Sequence, residues 1–355
     1  MGQKSIELLE ELTQAAGIPG HETEVQAIFQ SRLAHIGPID RDRLGSIFCT
    51  KQGEAREPRV LLDSHLDEVG FIVQRITDSG YVKFLPVGGW WAHTLLAQRV
   101  HIVTKRGKVP GVIGSIPPHL LGTGSREKVM EFQNLFIDIG AESDDQASDE
   151  FGVVPGCPIV PYGPFMPMKN PKLYSAKAFD NRLGVALVIQ TLQKLGKHQN
   201  TVVGSGSAQE EVGLRGARTV AQMVQPDVAV ILEGPPADDT PGADSDAVQG
   251  RLGGGVQIRL YDPTMIPSPR LCEFVVETAK SHQIPHQLAV RQSGGTDAGS
   301  IHQVGSGVPS IVLGVPARYI HSHVSIINID DYLATLDLLL QLLPKLDKNA
   351  VASLV

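Results

Sequence analysis

Between residues 70 and 163 the hydrophobic pattern of this chain changes period. From about residue 180 onward, short apolar runs alternate with stretches of helical spacing. Asn181 to Leu195 is helical, Thr201-Val202-Val203 reads as strand, Gly216 to Val224 as helix and Asp227 to Leu232 as a second apolar strand. Pro269 to His282 is again helical, His286 to Val290 alternates, and Pro309 to Leu313 is strand. Asp330 to Leu346 closes as a long amphipathic helix, with Asp330 as its expected N-cap. Upstream, residues 5–35 read as a helix broken near Gly17-Ile18-Pro19-Gly20, and Arg59-Val60-Leu61-Leu62 is a buried-strand run ending at Asp63-Ser64-His65. The intervening stretch is instead rich in Val, Ile, Thr, Gly and Pro, as in Arg99 to Thr104 and Lys108 to Gly114, so short strands separated by turns are expected. Helical periodicity resumes only after Pro171. The pattern predicts an α/β domain, residues 1–69 and 164–355, with a mixed sheet flanked by helices. Residues 70–163 are expected to be an inserted small all-β domain, a barrel or a sandwich, with the barrel favoured. Ala237 to Gly255, dense in Asp, Gly and Pro, is expected to be a flexible surface loop.

At 355 residues, length alone also favours about two domains. A 42% hydrophobic and 19% charged composition is that of an ordinary globular protein. The net charge of −7 and the absence of any Lys/Arg-rich run argue against a nucleic-acid partner. Three cysteines, Cys49, Cys157 and Cys272, without a CxxC spacing, suit a reducing compartment and not a disulfide framework or a structural zinc site. The start, Met1 to Glu7, runs into an amphipathic helix with acidic residues, unlike a secretory signal, and Ile6 breaks a myristoylation pattern. No apolar stretch approaches the ~20 residues that span a bilayer. The expectation is a cytoplasmic protein with no membrane partner.

Five segments carry the chemistry: His65-Leu66-Asp67, Asp180, Glu210-Glu211, Glu233 and His321, each where a predicted strand meets a loop. Singly they are weak. A His-x-Asp can be a strand-end histidine bonded to a carboxylate, adjacent glutamates are usually a solvated pair, and Asp180-Asn181 reads as a helix cap. Glu233 is harder to dismiss, because carboxylates at strand ends of α/β sheets point into the ligand crevice. His321 and His323 follow the same strand, and alternation places both on one side, so one is a bystander. Together the five have the composition of a two-metal hydrolytic site, in which two divalent cations activate a shared water and clamp a tetrahedral transition state. Asp180, Glu211 and Glu233 would contribute three negative charges to such a site. Without cations, a buried carboxylate cluster of this kind must protonate.

His65 to Phe71, Ala178-Phe179-Asp180-Asn181-Arg182, Gln209 to Ala217, Gly294-Gly295-Thr296-Asp297-Ala298-Gly299 and Arg318 to Ser322 together resemble the signature blocks of one family. It is the tetrahedral-aminopeptidase family of dinuclear metallopeptidases, which includes glutamyl aminopeptidases and proteins once labelled cellulases. Gly88-Gly89-Trp90-Trp91 and Pro110 to Ser115 are most similar to its FrvX-type members. The resemblance implies that His65 binds the first metal, with Asp67 behind it holding the imidazole in its ligating tautomer. It implies that Asp180 bridges both ions, through a residue whose peptide bond to Asn181 is commonly cis. Glu211 and His321 would bind the second metal, Glu233 would complete the first, and Glu210 would be the general base. It implies a small β domain that assembles a dodecameric, tetrahedral homo-oligomer. Two departures stand out. The family usually has Asp where this chain has Glu233, and Pro where it has His323, a neighbour that could compete with His321 for metal.

No His-Glu-x-x-His helix, Gly-x-Ser-x-Gly elbow, phosphate-binding loop or Rossmann fingerprint is present. Trp90 and Trp91 read as packing or interface residues, and Gly294 to Asp297 has helix N-terminal character, either capping the helix or lining the substrate pocket, with the family resemblance favouring the pocket. The expected function is a dinuclear metal-dependent aminopeptidase acting on short peptides, with a metal-bridged water as nucleophile and Glu210 as base. Zinc is favoured over cobalt or manganese as the divalent ion. The rivals are a related dinuclear-metal deacylase or carboxypeptidase, and a non-catalytic oligomeric scaffold with structural metals.

Overall fold

The computed structural model describes residues 2–354 except 121–123, 125, 126 and 245. Two helices, α1 (Gly2–Gln14) and α2 (Thr23–Leu33), open the chain, separated at the expected Gly-Ile-Pro-Gly break. Strands β1 (Ile39–Arg41), β2 (Ile47–Lys51) and β3 (Arg59–His65) come next. The following six strands are β4 (Gly70–Ile76), β5 (Val82–Val87), β6 (Arg99–Thr104), β7 (Gly107–Gly114), β8 (Phe136–Asp138) and β9 (Pro158–Pro161). They close into an antiparallel barrel in the order β4-β5-β8-β7-β6-β9, with β9 pairing back onto β4. Its interior is filled by alternate residues of each strand, among them Phe71 and Val73, Val82 and Phe84, Val100 and Ile102.

The chain then returns through β10 (Met166–Pro167) and β11 (Leu173–Ala176) to α3 (Phe179–Lys194). Strands and helices now alternate: β12 (Thr201–Ser207), α4 (Arg215–Val224), β13 (Val228–Glu233), β14 (Val256–Tyr261), α5 (Pro269–Ser281) and β15 (His286–Val290). The last elements are α6 (Ala298–Ile301), β16 (Ser310–Gly314), β17 (Ala317–Arg318), β18 (Ser325–Asn328), α7 (Ile329–Leu342) and α8 (Lys348–Ala352). An eight-stranded sheet runs β1-β2-β12-β3-β13-β16-β14-β15. Its centre, β12, β3, β13 and β16, is parallel, while β2 and β14 pair antiparallel to their central neighbours, so the sheet is mixed as expected. All six residues of β13 are buried, which is why it reads as an unbroken apolar run and not as an alternation.

Helices cover both faces. On one, α1, α3, α5 and α7 share a single core with the sheet, and on the other α4 and α6 form a smaller one. In β12, Gly204 and Gly206 let α3 and Leu66 lie against the backbone. A Cβ at Gly206 would sit 2.4 Å from Leu66 Cδ2, and one at Gly204 would sit 2.7 Å from both Leu192 Cδ1 and Val188 Cγ1. A small sheet, β10-β11-β18-β17, packs beside this core.

Three sequence expectations change. The N-cap of α7 is Asn328, whose side-chain oxygen accepts the Asp330 N–H at 3.0 Å, so Asp330 lies in the first turn, where its charge meets the helix N-terminus. The helix stops at Leu342, and a 3₁₀ turn (Leu343–Lys345) carries Pro344, which has no N–H to continue the ladder. The 237–255 segment is pinned by carboxylates. Asp238 accepts from the Gln249 and Gly250 amides, Asp239 from Leu252 and from the Arg318 guanidinium, and Asp331 from Gly253 and Gly255. Ser245 of that segment lies outside the described residues.

Candidate active site

Because β3, β12, β13 and β16 are parallel, their C-terminal ends share one edge of the sheet, where open α/β sheets bind ligands. His65 is the last residue of β3 and Glu233 the last of β13. Glu210 and Glu211 begin a 3₁₀ turn just beyond β12, whose final residue Ser207 is in register with His65. Asp180 stands in the opening turn of α3 and His321 in the connection from β17 to β18.

The five segments converge. Asp180 lies between the two histidines, with Oδ1 3.3 Å from His65 Nε2 and Oδ2 3.4 Å from His321 Nε2. His321 Nε2 is also 3.4 Å from Glu211 Oε1. Around His65 Nε2 stand Glu233 Oε2 at 3.8 Å and Glu210 Oε2 at 4.0 Å. Three sets, His65/Asp180/Glu233, His65/Glu210/Glu211 and Asp180/Glu211/His321, each have donor atoms within 4.8 Å of one another.

Both rings are aimed by backbone carbonyls. His65 Nδ1 donates to Asp67 O at 3.0 Å and His321 Nδ1 to Gly89 O at 2.9 Å. A carbonyl only accepts, so each neutral ring keeps its proton on Nδ1 and turns the Nε2 lone pair into the site. The Asp67 carboxylate, expected to do this for His65, is farther away at 3.6 Å. It accepts instead from the N–H groups of Glu210 and Glu211, both at 3.0 Å. Glu22 Oε1 takes the preceding amide, Gln209, at 3.2 Å, so two buried carboxylates hold three consecutive amides of the turn. Asn181, across a cis bond from Asp180, donates to Leu232 O at 2.7 Å and Glu233 Oε2 at 2.9 Å. His323 does not share the face of His321. It is buried against Trp90, ring centroids 5.3 Å apart, because the connection turns through left-handed backbone at Tyr319 and His321 and so breaks the alternation.

The electrostatics are those of an over-filled acidic cluster. Burial pushes the Glu210 and Glu211 carboxyls up to about 8, the charges of Asp180 and Asp67 add to it in both, and Glu211 adds to it in Glu210. Glu233 is raised well above the carboxylate range by burial and then by Glu210 and Asp180, against the pull of His65. Burial alone would lower His321, but Asp180 and Glu211 hold it up to about 9. His65 is likewise raised, by Glu210, Asp180 and Asp67. Asp180, also buried, is nevertheless held below its ordinary range by the two histidines. Beneath the cluster, Asp63 and Asp297 are fully buried and both raised, first by burial. Positive charge is what such a cluster lacks, and divalent cations would supply it. The donor set fits such ions: two imidazole nitrogens, four carboxylates, and a Glu233 Oε1 that is buried without a hydrogen-bond partner.

A cleft of about 540 Å³ opens from the cluster, walled by Leu214, Pro235, Ile320, Thr264, Arg259 and Arg291, with the Gly294–Thr296 turn along one side. Burial of Glu22, the amide-holding carboxylate of Asp67, the two arginines and Asp63 were not found by sequence reasoning. Their partners are backbone groups or residues far away in the chain.

The model of the family described as M42 glutamyl aminopeptidase matches residues 45–338. The chain belongs to that family. This M42 peptidase is 38% identical to the FrvX protein of Escherichia coli (strain K12) over 94% of each chain. Among solved structures it is similar to a TET aminopeptidase from the marine sediment archaeon Thaumarchaeota archaeon SCGC AB-539-E09, with 42% identity, 99% of each chain covered and a TM-score of 0.97. It is also similar to the Pyrococcus horikoshii TET1 peptidase, a protein that can assemble into a tetrahedron or a large octahedral shell, with 30% identity, 96% and 100% covered and a TM-score of 0.83. The M42 chain is thus an aminopeptidase, a hydrolase of peptide bonds from a metal-dependent family, and its fold is that of the TET aminopeptidases. No helix among the described residues is long and apolar enough to cross a membrane.

Proposed function

We propose that this M42 peptidase is a dinuclear metal-dependent aminopeptidase that removes N-terminal residues from short peptides. The observation that carries the reading is Asp180 between His65 and His321, one carboxylate oxygen toward each ring. His65 and Glu233 would hold the first ion, Glu211 and His321 the second, and Asp180 both. Two divalent ions, zinc before cobalt or manganese, supply Lewis acidity to the scissile carbonyl and acidity to an attacking water. Glu210, whose backbone is fixed by Asp67, would take the proton from that water and return it to the leaving amine. The walls of the cleft exclude solvent and orient the substrate side chain. Arg259 and Arg291 each pair with one aspartate, Asp262 and Asp238, yet each keeps a buried Nε without a partner. Their guanidinium groups favour an acidic or neutral side chain there over a basic one. A panel of aminoacyl chromogenic substrates reads that preference.

The barrel of residues 70–163 is proposed as the assembly domain of a homo-oligomer, up to a dodecamer, in the cytoplasm. Support comes from the exposed apolar side chains Trp91, Leu96, Ile116 and Val129 on or beside it, and from the assemblies of the Pyrococcus horikoshii relative. The test of the catalytic reading is Glu210→Gln. Both metals are retained while turnover falls ~10²–10⁴-fold, the usual weight of acid–base catalysis. Full activity in that variant would defeat the assignment. Comparing free-amine peptides with N-acylated amino acids separates it from a deacylase.

A further inference from the structure

The residue that holds His321 in place does not come from its own sheet. His321 sits at φ 55°, two residues after Tyr319 at φ 61°, both in the left-handed region that disfavours non-glycine residues. Its side chain is 38% exposed, so packing from the catalytic domain does not fix the ring. The contact that orients it is the carbonyl of Gly89, in the segment leading out of barrel strand β5. The approach is tight: a Cβ at Gly89 would lie 3.0 Å from His321 Nδ1, so the ring would have to give by a few tenths of an ångström. The Gly89 carbonyl is in turn held by its neighbour in the chain, Trp90. The Trp90 indole donates to Gly70 O at 2.9 Å and stacks on Phe71 with centroids 4.6 Å apart and planes 24° apart. The His323 ring lies against Trp90 as well, centroids 5.3 Å apart and planes tilted by 57°, and is 6.5 Å from Phe71. Both nitrogens of His323 are buried without hydrogen-bond partners, so it packs as an aromatic ring and not as a polar one. The chain from His321 to Gly89, Trp90, His323 and back to His321 is therefore closed, and two of its four members belong to the stretch that leaves the barrel.

Resting on the two-metal reading above, we propose that Trp90 and His323 are positioning residues for the second metal ion. They clamp the Gly89 carbonyl against His321 Nδ1 and thereby set the direction of Nε2. The barrel then contributes to the metal site as well as to assembly, and His323 acts through the packing of its ring and not as a ligand.

The experiment is titration of the metal-free protein with cobalt(II), following the visible absorption of each site, in the wild type and in Trp90→Ala, His323→Ala and His323→Phe. Loss of an outer hydrogen-bonding or packing partner costs metal affinity ~10–100-fold, so the alanine variants weaken the second site by that factor, while the first site changes by less than about twofold. His323→Phe, which keeps a ring but has no nitrogen, retains second-site affinity. The unchanged first site reports that each variant is folded. Equal weakening of both sites, or no weakening in either alanine variant, overturns the inference. Loss in His323→Phe as large as in His323→Ala overturns it too, because His323 would then act through a nitrogen. A wild-type protein that takes up a single ion overturns the two-metal reading and this inference with it.

Discussion

The Asp67 carboxylate accepts the backbone N–H of Glu210 at 3.0 Å, joining the loop after β3 to the turn after β12. Its second oxygen takes the Glu211 amide at the same distance, and Asp67 itself is fully buried. An asparagine there can serve only one of these amides and presents an NH₂ to the other, so a buried donor is stranded at a cost of about 1–3 kcal/mol. Asp67→Asn is expected to lower kcat ~10–100-fold with both ions still bound. Steady-state kinetics together with metal analysis of the same preparation checks it. Unchanged kcat would mean that the turn holds the base without this carboxylate.

Glu68, next in the chain, is the counter-charge of a buried ionic cluster. Lys177 Nζ donates to both its oxygens at 2.6 and 2.8 Å, and Arg182, fully buried, donates to Oε1 at 3.2 Å. The remaining Arg182 donors satisfy the carbonyls of Leu12, Ala15, Gly17 and Leu66, which ties α1 and the 15–17 segment to the floor of the site. Glu68→Gln leaves two cations without compensation, and the expected loss is about 3–5 kcal/mol of unfolding free energy. Urea denaturation of the apo-protein measures it. A loss below about 1 kcal/mol would mean that the cations relax to water.

Glu22 gives a pH dependence with a definite sign. Burial raises its carboxyl to about 7, helped by the nearby Asp67 charge and opposed by amides of Gly20 and Gln209. The folded protein then keeps this proton where the unfolded chain, near 4.5, has already lost it. The stabilising contribution is therefore complete below pH 4.5 and is lost as pH rises through 7. Glu22→Gln stays neutral and can still accept from both amides. It is expected to stabilise the fold at pH 8 by on the order of 1–3 kcal/mol and to do nothing at pH 4. Unfolding midpoints at the two pH values decide it, and an equal effect at both would assign the change to packing.

Much of this molecule was legible because its central strands are buried on both faces. Val228 to Leu232 and Arg59 to Leu62 announce themselves as unbroken apolar runs, and a carboxylate or histidine ending such a run has few structural uses. Strand β14 was missed. It comes directly after Gly253-Gly254-Gly255, and its sequence Val256 to Tyr261 mixes the polar Gln257 and Arg259 into a buried strand between β16 and β15, so it shows neither an apolar run nor a clean alternation. Asn328 escaped as the cap of α7 because the acidic Asp330 beside it satisfies the same local rule. The hold of Glu22 and Asp67 on the amides of the 209–211 turn could not be read. Their partners are amides 143 to 187 residues away, and nothing local in the sequence records which backbone donors a fold leaves open.

Catalysis by paired ions is tested most directly by chelating the protein, adding zinc back stepwise, and measuring hydrolysis of an aminoacyl chromogenic substrate against ions bound per chain. Turnover should be absent in the chelated protein and should rise to a plateau at two ions per chain. Turnover that survives chelation, or a plateau at one ion with no gain from the second, would contradict it.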